Sequence, residues 1–91
     1  MKLVYLDNSA TTKPLPEAVE AVARAMTETW GNPSSLHTAG SGAKRLLEQS
    51  RAAVAEALGC EPGEILFTSG GTEANALALH GRKKILTSPM E

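Results

Sequence analysis

The sequence predicts an α/β protein: a strand and two helices, then one βαβ unit of a mostly parallel sheet. Two short apolar runs, Ile65-Leu66-Phe67-Thr68 and Lys84-Ile85-Leu86-Thr87, flank the glycine turn Ser69-Gly70-Gly71-Thr72 and a short helical stretch. Strand, turn, helix and strand therefore follow in order. Two stripes of apolar residues at helical spacing precede this unit. Parallel strands imply a right-handed crossover and need cover on both faces. The chain holds too few strands to provide that cover, so the sheet is expected to be incomplete. Two segments are expected: 1–59, the amino-terminal strand and two helices, and 60–91, the start of an incomplete α/β domain.

Taken in order, Leu3-Val4-Tyr5-Leu6 reads as a short strand closed by the turn-formers Asp7-Asn8-Ser9. Pro16 suits the first turn of a helix, where its missing N–H is no loss. Val19, Val22, Ala23, Met26 and Trp30 form the stripe of that helix, which Gly31-Asn32-Pro33 stops. A polar loop spans Gly31 to Gly42. The second helix opens between Thr38 and Ala43, with Thr38 or Ser41 as N-cap. Its stripe is Ala43, Leu46, Leu47, Val54, Ala57 and Leu58, and Gly59 is a natural C′ residue. Glu61-Pro62-Gly63 is a turn. Glu73 to Leu79 continues the glycine turn as a helix of about two turns, and His80 beside Gly81 reads as a C-terminal histidine favoured by the dipole.

The totals narrow the function classes. Ninety-one residues make one small domain at most, and three aromatics, Tyr5, Trp30 and Phe67, leave a thin core of Ala, Leu and Val. Nine Lys+Arg against ten Asp+Glu give a net charge of −1, so no field draws nucleic acid or an anionic membrane. Asp7 interrupts the opening apolar run, which excludes a signal peptide, and no stretch has the length of a membrane span. A single cysteine makes no internal disulfide and points to the reducing cytoplasm. No metal-ligand set is identified.

Phe67-Thr68-Ser69-Gly70-Gly71-Thr72-Glu73 carries the chemistry. Glycines between a strand and a helix start allow unusual backbone angles and close ligand approach. Free N–H groups and the positive dipole end there suit an anion, and the Thr72 hydroxyl adds a donor. Glu73 is awkward, because its carboxylate repels a phosphate unless it points away. The plain alternative is a tight turn with Thr72 as N-cap. Neither a Walker loop nor the dinucleotide fingerprint is present.

Three ordered signatures then become informative together. Tyr5-Leu6-Asp7-Asn8-Ser9-Ala10-Thr11-Thr12, Gly31-Asn32-Pro33-Ser34-Ser35-Leu36-His37 and Phe67-Thr68-Ser69-Gly70-Gly71-Thr72-Glu73-Ala74-Asn75 resemble those of the cysteine desulfurases. These are class V aminotransferase-like enzymes of pyridoxal-phosphate fold type I. Thr87-Ser88-Pro89-Met90-Glu91 resembles the strand that leads into their Glu-His pair. The resemblance spans essentially the whole chain and identifies its amino-terminal portion only.

The resemblance implies an amino-terminal fragment of the aspartate-aminotransferase-type fold. Gly71 and Thr72 match positions that hold the phosphate of pyridoxal 5′-phosphate. Asn8, Ser9 and Ala10 match a segment on the substrate side of the cleft, and Asn32 to His37 a loop near the active site and subunit interface. His37 is a substrate-side candidate, against the plainer reading of a hydrogen-bonded loop histidine. The ring-stacking histidine, the aspartate on the pyridine nitrogen, the Schiff-base lysine and the nucleophilic cysteine are expected beyond Glu91. Lys44, Lys83 and Lys84 match no such lysine, and Cys60 reads as a packed small side chain. No catalytic residue is assigned. Relatives carry a longer helix between the phosphate turn and the last strand than Thr72 to Arg82 allows.

By the resemblance, the complete enzyme is a homodimer that takes sulfur from L-cysteine, leaves L-alanine and an enzyme persulfide, and serves a sulfur-acceptor protein in iron-sulfur or thio-cofactor supply. This chain alone is expected to be inactive. The alternatives are a selenocysteine lyase or class V aminotransferase on the same scaffold, or a non-catalytic half that complements a separate carboxy-terminal chain.

Overall fold

The computed structural model describes residues 1–90; Glu91, the last residue of the Thr87–Glu91 signature, lies outside the described residues. Three helices form: α1 (Pro16–Glu28), α2 (Thr38–Leu58) and α3 (Gly71–Leu79), with a single 3-10 turn at Pro62–Glu64. The chain divides inside α2 into two compact units, Met1–Ala53 and Val54 onward.

In the first unit, Pro16 opens α1 in the expected place. Thr29 leaves helical geometry at φ −131° while its N–H still closes on the Ala25 carbonyl. The helix thus ends two residues before Trp30, which drops out of the expected stripe. No residue of α1 is buried, and Val19, Val22 and Met26 are exposed.

The loop from α1 to α2 is held by backbone packing. The Asn32 side chain accepts the Ser34 N–H at 2.9 Å, and its carbonyl accepts the Ser35 N–H at 3.0 Å, an Asx-type turn. A Cβ at Gly40 would meet the Asn32 carbonyl oxygen at 2.7 Å and clash with that of Ser35; one at Gly31 would strike the Ala39 carbonyl. Both glycines are there for close approach of backbone. Gly40 and Ala43 are buried at this point.

The helix α2 begins at Thr38, so neither Thr38 nor Ser41 is its N-cap. The cap is His37: the Gly40 N–H donates to His37 Nδ1 at 3.3 Å, an imidazole nitrogen filling the acceptor role more often taken by a hydroxyl or carboxylate. Of the expected stripe, Ala43 is buried, while Leu46, Val54 and Leu58 stay exposed. Ala55, off that stripe and in the second unit, is 1% exposed. Gly59 ends α2 at φ +69°. Its N–H bonds the Glu56 carbonyl and the Cys60 N–H bonds that of Ala55, the paired closure of a Schellman motif.

The second unit continues through Glu61-Pro62-Gly63, which tightens into the 3-10 turn; Glu64 reaches back to the Glu61 N–H at 2.8 Å. The strands expected at Leu3–Leu6, Ile65–Thr68 and Lys84–Thr87, and with them the βαβ unit, do not form among the described residues. A strand exists through its ladder of hydrogen bonds with a neighbouring strand, and strand composition alone does not supply that ladder. Leu3, Leu66 and Leu86 face solvent accordingly.

Candidate functional site

The glycine turn is where the predicted chemistry concentrates. Gly70 is the N-cap of α3 with φ 167° and ψ −176°, and Gly71 is its first helical residue. Extended backbone is open to any residue, and positive φ falls instead at Gly59 and Gly81. The expectation that this pair supplies unusual angles is therefore corrected. A Cβ at Gly70 or Gly71 would meet no heavy atom within 4 Å, so the pair leaves the helix start bare.

The Ala74 N–H closes on the Gly70 carbonyl at 3.1 Å. The amides of Gly71, Thr72 and Glu73 precede that bond and have no acceptor within the helix. They point out of the positive end of the α3 dipole. Thr72 is exposed in the first turn. It stands two residues past Gly70, so the plain reading of Thr72 as N-cap is also corrected.

Glu73 folds back on the residue before the cap. Its Oε2 accepts from the Ser69 hydroxyl at 2.5 Å and from the Ser69 N–H at 3.1 Å. These two bonds hold its carboxyl below the usual glutamate range. The Thr68 hydroxyl donates to the Gly70 carbonyl at 3.0 Å, fixing the turn from the other side. Sequence reading missed this closure, although a serine four residues before a glutamate at a helix start is close to a capping-box signal.

The other candidates lie in the first unit. Asn8, Ser9 and Ala10 share one turn, closed by the Ala10 and Thr11 N–H groups on the Asp7 carbonyl. The Tyr5 hydroxyl spans it, donating toward the carbonyls of Asp7 and Thr11 at 3.0 and 2.9 Å. His37 is engaged at Nδ1 as a helix cap, which leaves Nε2 as the donor of the neutral ring. Cys60 is half-buried. Among the described residues no three His, Cys, Asp or Glu side chains group as a metal site, and no helix is long and apolar enough to cross a membrane.

A helix start with amides that have no acceptor in the helix and a threonine in its first turn suits an anion on electrostatic grounds, with the Glu73 carboxylate tied to Ser69 beside it. The aminotransferase class-V family profile matches residues 4–91, and the chain belongs to that family. Its relatives include a NifS/IcsS protein homolog of Lactobacillus delbrueckii subsp. bulgaricus, 50% identical over 98% of this chain and 25% of its own length. A cysteine desulfurase of Cereibacter sphaeroides is 48% identical over 100% of this chain and 26% of its own. A selenocysteine lyase of Xenopus tropicalis is 55% identical over 84% of this chain and 18% of its own. The chain thus spans about a quarter of the length of these curated relatives, or less. The Cereibacter alignment runs over 99 positions against the 91 residues here, so at least eight positions of that relative lack a counterpart.

Proposed function

We propose that these residues form the part of a pyridoxal-phosphate-dependent cysteine desulfurase that holds the phosphate of the cofactor. The start of α3 carries the proposal: the amides of Gly71, Thr72 and Glu73 open the helix and Thr72 stands in its first turn, in a chain of this family. The residues present fit the group. A dianionic phosphate gains from unpaired amides at a helix start, and the one carboxylate nearby is bound to Ser69. Pyridoxal phosphate, when bound, supplies an electron sink. Gly71 and Thr72 anchor its phosphate and fix its register. Asn8, Ser9, Ala10 and His37 are assigned to the L-cysteine side, with His37 Nε2 as the donor. No lysine or cysteine among these residues is given a catalytic role, so the chain binds and orients.

The wider reading takes its activity from the name of the cysteine desulfurase relative and extends beyond it. The complete protein, of aspartate-aminotransferase type and divided near residue 59, converts L-cysteine to L-alanine while a cysteine thiolate takes the sulfur as a persulfide. It works as a homodimer with a sulfur-acceptor protein, in the cytoplasm, as the single cysteine suggests. The test is protein made from the full reading frame, incubated with L-cysteine. Alanine release is expected, and Thr72→Ala should weaken cofactor retention by roughly tenfold or more, the worth of a hydrogen bond to a charged group. No alanine release, or unchanged retention in the variant, would contradict the reading. A selenocysteine lyase is the second reading, favoured by the 55% identity to the Xenopus tropicalis enzyme; strong preference for L-selenocysteine in the same assay would select it.

A further inference from the structure

We infer that Glu73 is a positioning residue for the phosphate turn, closing the segment Ser69–Glu73 so that the amides of Gly71, Thr72 and Glu73 converge outward. The inference rests on the proposed phosphate site and concerns what shapes it. Negative charge beside a phosphate is unfavourable on Coulomb grounds, so Glu73 needs another reason to stand in the first turn. The geometry supplies one. A single oxygen, Oε2, takes both the hydroxyl and the N–H of Ser69, spanning the N-cap Gly70, which has no side chain to cap with. Glu73 thus does from inside the helix what a serine or aspartate N-cap does from outside.

The same two bonds draw the acceptor toward Ser69, while Thr68 ties the Gly70 carbonyl. No cationic side chain forms an ion pair with Glu73 among the described residues. The Ser69 donors are therefore what hold its carboxyl below the usual range. Gly70 and Gly71 give the turn no steric walls within 4 Å, so the side-chain clasp carries the ordering that packing does elsewhere.

The test uses the isotope-labelled 91-residue chain and its Glu73→Gln and Glu73→Ala variants, followed by amide NMR. In a pH titration the Ser69 amide should shift with a midpoint below the ordinary glutamate value, and both variants should abolish that step. With inorganic phosphate at neutral pH, Glu73→Ala should bind roughly two- to tenfold more weakly, the net worth of one or two hydrogen bonds. Glu73→Gln keeps an acceptor and loses the charge, so it should bind at least as well as wild type. A Ser69 amide that does not titrate, or a Glu73→Ala chain that binds phosphate as wild type does, overturns the positioning role. A titrating Ser69 amide in a wild-type chain blind to phosphate overturns the phosphate-site reading instead and leaves the clasp standing.

Discussion

Gly31 and Gly40 lie where the loop before α2 folds back on the first turn of that helix, and at each a Cβ would run into backbone. Backbone cannot swing aside as a flexible side chain does, so Gly40→Ala should destabilise the first unit by about 1–3 kcal/mol, as overpacking does. Helical circular dichroism under thermal denaturation measures this. Gly71→Ala has no clash and no positive φ, and it should leave helicity unchanged or slightly raised in the same experiment. The sign of the Glu73 effect follows from its lowered folded value. Stability from the Ser69 clasp is present above the ordinary glutamate value and is lost as pH falls through the lower folded one. Fraying of α3 should accordingly increase on acidification in wild type and be insensitive to that step in Glu73→Gln. Gly70-Gly71-Thr72 was legible in the sequence as a helix start, because two glycines after an apolar run have few other uses. The carboxylate clasp was not legible, since it depends on a rotamer that spacing alone leaves open.

The three helices were legible at the element scale because each carries punctuation at its ends. Pro16 opens α1 and Gly59 closes α2 in the positions expected. Gly59 has open space around it but φ +69°, so Gly59→Ala should cost about 1–2 kcal/mol through the left-handed backbone alone. Loss of helicity confined to the end of α2, read by amide exchange, checks this. His37 as the cap of α2 was not legible, because imidazole is rarely weighed against Thr38 or Ser41 as an acceptor. The strands failed for a different reason. Leu3–Leu6, Ile65–Thr68 and Lys84–Thr87 carry strand composition, but composition describes what a pleated surface would accept and cannot supply a neighbouring strand. At the end of α3 the histidine stands where it is expected, as the C-cap with its N–H on the Leu77 carbonyl, and the Arg82 N–H bonds the Leu79 carbonyl just beyond.

For the molecule as a whole, the small number of buried side chains decides how the chain should behave in isolation. Ala43 and Ala55 are the buried hydrophobic residues among those described, while Val19, Met26, Leu66 and Leu86 face solvent. Urea unfolding of the 91-residue chain should therefore be shallow, with a slope under about 1 kcal/mol/M, and a steep cooperative transition would show burial that the structure lacks. This thinness was legible from three aromatics in 91 residues. The proposed phosphate site does not depend on that core, since its donors belong to one turn. The most direct measurement is an amide NMR titration of the chain with pyridoxal 5′-phosphate, using pyridoxal as a control for aldehyde chemistry at surface lysines. Shifts at Gly71, Thr72 and Glu73 that appear with the phosphate ester and not with pyridoxal are the predicted result. Identical shifts with both compounds, or phosphate-dependent shifts centred elsewhere, would contradict it.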